Sequence, residues 1–372
     1  MPLLALAFLA FIGLGLPDPL PGSLWPETRP HYGMPNAALG LVLACVAFGY
    51  VTAGMLTGRL VAWLGLGGVL GASLAATALA ALGQGLAPPW PVFVALAVLG
   101  GFGGGAVDSA LNAFAAHRFQ PSQMNWLHGF WGIGATLGPA GAALLLAAGF
   151  GWQAGYLAVA AALGLLTIGF LATRKRWEDG APPSHGPRPS AGAVLANPVA
   201  RLQIALFFLY TGLEAGAGQW AATILAEARG ASPAEGAAAA TLFFAAITVG
   251  RIGLGFVVDR IGADRLLRLL GPLAVLAALI FASGVSDFLA LGLMALAMAP
   301  VYPTLMARTP ARLGAAATAQ AVGFQVAAAT LGVAVIPAAL GLAADFGGVG
   351  LVPWLLVGLA AGVAMLIWRL PA

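Results

Sequence analysis

The sequence predicts an all-α integral membrane protein of about twelve transmembrane helices in two pseudo-symmetric six-helix bundles. Three observations carry the prediction: a composition unlike any water-facing surface, apolar stretches of spanning length on both sides of one polar linker, and a short pattern that recurs in both halves. Of 372 residues, 61% are hydrophobic and 8% charged, and the mean hydropathy is +0.96. A soluble domain carries about 25% charged residues. A chain this apolar has polar surface only in its loops, so most of it lies in lipid.

A spanning helix needs about 20 mostly apolar residues. Cut at its charged, Pro and Gly punctuation, the chain yields spans near 3–25, 36–58, 66–87, 91–117, 123–148 and 152–173. The first begins with the apolar run Leu3 to Leu16, which lacks a basic n-region and a small-x-small cleavage site and is read as a span, not a signal peptide. From Arg174 the stretch RKRWEDGAPPSHGPRPSAG is polar and Pro-rich, the mark of a flexible aqueous linker. A second set of spans follows near 200–226, 236–257, 264–284, 287–308, 314–343 and 349–369. The expected division is an N-terminal bundle at 1–173, a cytoplasmic linker at 174–199 and a C-terminal bundle at 200–372.

Orientation follows from the basic residues. With both termini cytoplasmic, the inner loops and span ends hold Arg59, Arg118, Arg174, Lys175, Arg176, Arg188, Arg201, Arg251, Arg260, Arg265, Arg268, Arg308, Arg312 and Arg369, and only Arg29 and Arg229 fall outside. Fourteen against two is a strong positive-inside bias, which accounts for the net charge of +4 without an acidic partner. No basic face for nucleic acid is present. The single cysteine, Cys45, excludes a disulfide framework, and His31, His117, His128 and His185 are too scattered for a local zinc motif. No metal or cofactor is expected, and a monomer is.

The halves match each other at one place. The end of span two reads GMLTGRLVAWLG and the end of span eight reads GRIGLGFVVDRIG, so Gly58 to Gly65 and Gly255 to Gly262 share the spacing of a tight helix-to-helix turn. Six-span repeats mark transporters whose substrate site lies between the halves near the midplane.

Gly255, Asp259, Arg260 and Gly262 resemble the G-x-x-x-D-R-x-G loop of the major facilitator superfamily, which places it between spans two and three and between eight and nine. The resemblance covers the whole chain and implies the major facilitator fold, with these four residues as a cytoplasmic gate motif. In the first copy Ala62 and Trp63 replace the acid and the base, which removes the charge latch from that half. The segments GFGGGAVDSALNAF and MNWLHGFWGIGATLGP are similar to the fucose:proton symporter branch. That similarity implies Asp108 for the proton-coupled acid, Asn112 for a sugar-facing Asn and His128 for a sugar-facing polar residue.

Of the twelve acids, only Asp18, Asp108 and Glu214 fall inside spans. A charge at the bilayer centre costs about 2.5–3.5 kcal/mol on insertion scales, so such a carboxylate normally faces a wet cavity and serves transport. All three are candidates for proton coupling. Asn112 is one turn from Asp108, and Gly101, Gly103, Gly104 and Gly105 suit close packing against a neighbour; the structural alternative is a helix-to-helix hydrogen bond. No basic residue is placed at a span centre. Glu214 lies about 14 residues into span seven, near mid-depth. Gln219 and Trp220 follow within two turns, an amide and a ring suited to a sugar, or else a helix-packing cluster. Asp18 stands among Pro17, Pro19 and Pro21 and has two readings, a broken helix at a site or a span end facing outside.

His128 enters span five beside Asn125, Trp126 and Trp131, with Asn112 and Asp108 expected at similar depth on the neighbouring span. As further substrate-site candidates stand Gln325, with Gln320, and Tyr302 beside Pro303. Trp25, Trp90, Trp152 and Trp354 sit at span ends as interfacial anchors. Together these features predict a secondary active transporter, not an enzyme, that couples uptake of a monosaccharide or similar polyol to protons across a bacterial inner membrane by alternating access. The alternative is a proton-driven efflux antiporter. Gly134, Gly138, Pro139 and Gly141 resemble part of the antiporter motif of span five, but span four lacks the intramembrane Arg usual in that class. A membrane protein without transport would leave three intramembrane acids without a role.

Overall fold

A computed structural model describes residues 3–119, 121–177 and 191–371, with the side chains at 116, 117, 121, 122, 124, 125, 254–256, 259, 315, 316 and 319 outside the description. Among the described residues every regular element is helical. Lipid cannot bond to backbone N–H and C=O groups, so an apolar spanning segment satisfies them within itself. The first half holds α1 (Leu3–Gly15), α2 (Leu20–Ser23), α3 (Trp25–Tyr32), α4 (Ala38–Gly85), α5 (Trp90–Arg118), α6 (Pro121–Ala147) and α7 (Gln153–Thr173). The second holds α8 (Ala191–Ala196), α9 (Pro198–Thr223), α10 (Pro233–Ile261), α11 (Ala263–Ser283), α12 (Asp287–Met298), α13 (Val301–Leu313), α14 (Ala315–Gly347) and α15 (Val352–Arg369).

Ten of the described segments are long and apolar enough to cross a membrane. One of them, the 48-residue α4, is two spans joined at Gly65, whose φ of 71° and ψ of 161° break the helix. The 26-residue α9 supplies the remaining span; Arg201, Gln203 and Glu214 lower its apolarity. All twelve expected spans are therefore helical. Gly65 and Gly262, the last glycines of the recurring pattern, both have positive φ, a conformation that costs a residue with a Cβ. The sequence repeat is thus a repeat of backbone turns.

Three departures from the expected spans bear on the site. Span one is interrupted between Gly15 and Leu20, where Pro17 and Pro19 each remove a backbone donor. Span ten breaks between Met298 and Val301 at Pro300. Span eight runs on to Ile261, four residues past its expected end at 257, which carries Arg251 deeper into the helix.

The chain divides into two compact units, one of residues 1–182 with 221–241 and one of 183–220 with 242–372. Glycines set the packing inside each. In the first unit a Cβ added at Gly134 would lie 2.1 Å from the Ile12 carbonyl oxygen, at Gly101 2.0 Å from that of Val46, and at Gly67 2.2 Å from that of Arg174. Only hydrogen fits there, so span one touches span five, two touches four and three touches six. In the second unit Gly332 meets the Phe208 carbonyl oxygen at 2.1 Å, Gly250 the Ala299 Cβ at 2.5 Å, and Gly271 the Ala364 Cβ at 3.2 Å. Those contacts pair seven with eleven, eight with ten and nine with twelve. The two sets of pairs are equivalent, as an internal repeat requires.

Candidate functional site

The polar groups of the first unit gather where these close approaches bring the broken span to its neighbours. Gly15 and Gly138 would set an added Cβ 2.1 Å from the Trp131 carbonyl oxygen and 2.2 Å from that of Leu16. This backbone contact lays the interruption at residues 16–19 against α6. The Trp131 indole Nε1 then donates to Asp18 Oδ2 at 2.8 Å. Asp18 thus sits in a break within span one, beside α6.

Between α4 and α5 the same device operates. An added Cβ at Gly105 would fall 2.4 Å from the Tyr50 carbonyl oxygen, and one at Gly103 2.3 Å from Thr77 Oγ1. The close approach delivers the Tyr50 hydroxyl to Asp108 Oδ2 at 2.5 Å. One turn along α5, Asn112 Nδ2 donates to Asp108 Oδ1 at 2.8 Å. Asp108 acts electrostatically on Asp18, and His128, set edge-on to Phe11 with centroids 5.5 Å apart, acts on Asp108. Asp18, Trp131, Tyr50, Asp108, Asn112 and His128 therefore form one polar cluster of the first unit.

Its chemistry follows from the donors. An ionised carboxylate only accepts, and both Asp108 oxygens already receive a hydrogen bond. Protonation turns one oxygen into a donor. The Tyr50 hydroxyl can follow by rotating from donor to acceptor, whereas the Asn112 amide nitrogen cannot. Tyr50 and Asn112 can thus hydrogen-bond Asp108 whether it is ionised or protonated.

The second unit holds an ion pair. On α9 the Tyr210 hydroxyl donates to Glu214 Oε2 one turn away, and Arg251 Nη2 from α10 donates to Glu214 Oε1 at 3.0 Å and Oε2 at 3.3 Å. The Arg251 and Glu214 side chains are 20% and 13% exposed. Arg251 is eleven residues before the Gly262 turn, about 16 Å along the helix. This corrects the expectation that no base occupies a span centre and that Arg251 belongs with the inner loops and span ends. Tyr302 lies within electrostatic reach of Arg251 and packs edge-on against Phe207 at 5.1 Å.

Other expected residues are not open to a ligand here. Trp220 is fully buried and its Nε1 donates to the Pro337 carbonyl at 3.1 Å, so it presents no face on which a sugar ring stacks. Gln219 beside it is also buried. Gln325 is fully buried; its Oε1 accepts from Thr309 Oγ1 at 3.2 Å and its Nε2 has no partner. Of the gate motif, Arg260 is exposed and Gly262 makes the turn, while the surroundings of Gly255 and the side chains of Asp259 and Asn125 lie outside the description. Tyr50, Tyr210 and Arg251 were not among the expected site residues. The signal for Arg251 was its distance upstream of the turn glycine; Tyr50 had none beyond being the one tyrosine of an apolar span.

The family model described as Major Facilitator Superfamily matches residues 3–287. An uncharacterized transporter, y4wD, of Sinorhizobium fredii (strain NBRC 101917 / NGR234) is 29% identical over 308 residues, covering 77% of each chain. Among solved structures, a D-xylose-proton symporter superposes with a TM-score of 0.80 at 14% identity, over 100% of this chain and 97% of that one. FucP, a Major Facilitator Superfamily transporter in the outward conformation, superposes with a TM-score of 0.64 at 18% identity, over 99% of each chain. At these identities the structural likeness speaks for the fold.

Proposed function

The chain belongs to the Major Facilitator Superfamily, a family of membrane transporters and not of enzymes, and from that premise we propose that it takes up a monosaccharide or similar polyol together with protons. The observation that carries the proposal is the Tyr50–Asp108–Asn112 cluster, with Asp18 and His128 in electrostatic reach. An intramembrane carboxyl surrounded by groups that accommodate both of its protonation states is what proton coupling requires. Asp108 carries the coupling proton and Asp18 shares the field. Asn112, His128 and Trp131 supply the amide, imidazole and indole that meet a hydroxylated substrate. In the second unit Glu214 and Arg251 neutralise each other, which leaves that pair polar but uncharged overall, as a neutral substrate needs.

The D-xylose-proton symporter among the structural neighbours is named for a substrate of this class. Of the four residues behind the efflux reading, Gly134 and Gly138 pack on the backbone of Ile12 and Leu16, as a purely structural role would have them. On this proposal the bundles at 1–173 and 200–372 alternate access, the protein acts as a monomer in a bacterial inner membrane, and both termini are cytoplasmic. In proteoliposomes a radiolabelled hexose or deoxyhexose should enter faster under an inward proton gradient. Uptake that ignores the gradient would reject proton symport.

A further inference from the structure

The second unit carries a recess that none of the residues around Glu214 and Arg251 lines. Its origin lies in how α9 packs on α14. At one end Val194 of α8, Ala200 of α9 and Ala321 of α14 form a buried apolar cluster, and two turns along α9 the Phe208 carbonyl meets Gly332. Between those contacts the small side chains of Ala205 and Ala328 leave a space of about 520 Å³. Leu195 of α8, Ile204 of α9, Leu331 of α14 and Leu366 of α15 help to line it, and Arg201 is the one polar side chain of the lining. Leu331 is 58% exposed, so the recess opens outward from the unit. In a membrane that surrounding is hydrocarbon.

Arg201 marks the end of the recess nearest the start of α9. Its side chain is exposed and has no ion pair among the described residues. The first turn of α9 holds no acid, and the positive end of the helix dipole adds to the guanidinium charge there. The charge at that end is unopposed. From Arg201 to Leu209, which also lines the recess, is eight residues, about 12 Å along the helix. One leaflet of a hydrocarbon core about 30 Å thick has nearly that depth. The recess therefore begins with a cation at the end of a span and runs, lined by apolar groups, toward the middle of the bilayer.

We propose that this recess holds one acyl chain of an anionic phospholipid, with the headgroup phosphate on Arg201. The chain by itself selects nothing, because hydrocarbon gains no hydrophobic free energy in leaving other hydrocarbon. Selection falls to the headgroup. A guanidinium fork pairs with a phosphate through charge-assisted hydrogen bonds, and a lipid of net negative charge also meets the unopposed field at the start of α9. A lipid seated there braces α9 against α14 and α15.

The test is native mass spectrometry of the purified full chain in detergent, titrated with dioleoyl phosphatidylglycerol and, separately, with dioleoyl phosphatidylcholine, whose acyl chains are the same. Phosphatidylglycerol should bind saturably and about fivefold more tightly, the order of one basic residue facing an anionic lipid. Arg201→Gln should bring the two lipids level. Arg265→Gln, which removes an exposed arginine of the same unit that does not line the recess, should leave the preference in place. Ala205→Phe, which fills the recess with a ring, should weaken both lipids. Arg201 and Ala205 are both exposed, so neither change disturbs the core. No lipid adduct, equal binding of the two lipids, a preference that survives Arg201→Gln, or binding untouched by Ala205→Phe overturns the proposal. A dimer in place of the lipid adduct overturns it too and assigns the recess to a second copy of the chain.

Discussion

Replacing Asp108 with Asn separates binding from coupling. The carboxylate receives two donors, Tyr50 at 2.5 Å and Asn112 at 2.8 Å. An Asn side chain keeps one acceptor oxygen for the Asn112 amide, and its own N–H₂ can donate to the Tyr50 oxygen once that hydroxyl turns round. The number of hydrogen bonds is preserved. What is lost is the charge assistance, about 1 kcal/mol, so substrate affinity should change by less than about tenfold. Coupling is another matter, because an amide releases no proton in the physiological range. With one proton per substrate, a gradient of one pH unit supports about tenfold accumulation in the parent protein, and the variant should fall to about onefold.

The assay is paired: exchange between equal internal and external pools of labelled substrate, and net accumulation under an imposed gradient, both in proteoliposomes. Exchange should persist while accumulation fails. Asp108→Ala serves as the contrast, since it orphans both donors at about 1–3 kcal/mol each and should lower the folded yield. Concentration of substrate by Asp108→Asn would refute the assignment. Asp18 would then be the leading candidate, ahead of Glu214, because Glu214 is held by Arg251.

Arg251→Met alone should lower stability in detergent by about 3 kcal/mol, since it leaves Glu214 without its cation, and Arg251→Met with Glu214→Gln should recover most of the loss; a single variant that melts like the parent would contradict the pairing. Gly134→Ala should reduce folded yield sharply, because its Cβ would meet the Ile12 carbonyl oxygen at 2.1 Å, while Gly141→Ala, with nothing within 4 Å, should be silent. Equal yields would mean that α1 and α6 are farther apart than described. Trp220→Phe should cost about 1–3 kcal/mol by removing the indole hydrogen bond to the Pro337 carbonyl and part of the packing, with substrate affinity unchanged; weakened binding at full stability would return Trp220 to the substrate site.

Composition alone establishes that this chain lives in lipid, because 8% charged residues cannot clothe a soluble surface. The spans were readable for the same reason, and the turn at Gly65 was readable from its echo at Gly262, since positive φ selects glycine locally. The Asp108–Asn112 pair was visible as one helical turn. Those are all local properties, carried by residues near one another in the chain. Depth and facing are not local. Four residues of error in the end of span eight shift the depth of Arg251 by about 6 Å, enough to move a cation from the wet end of a span toward Glu214. Each residue also turns a helix by about 100°, so whether Trp220 faces a cavity or Pro337 depends on how α9 is rotated against α14. That rotation is set by where Gly332 admits the Phe208 carbonyl, 124 residues away in sequence. Tyr50 reaches Asp108 for the same reason, since the close approach of Gly101 and Gly105 to the α4 backbone joins two spans whose contact no sequence spacing encodes. Only the packed structure holds both partners at once.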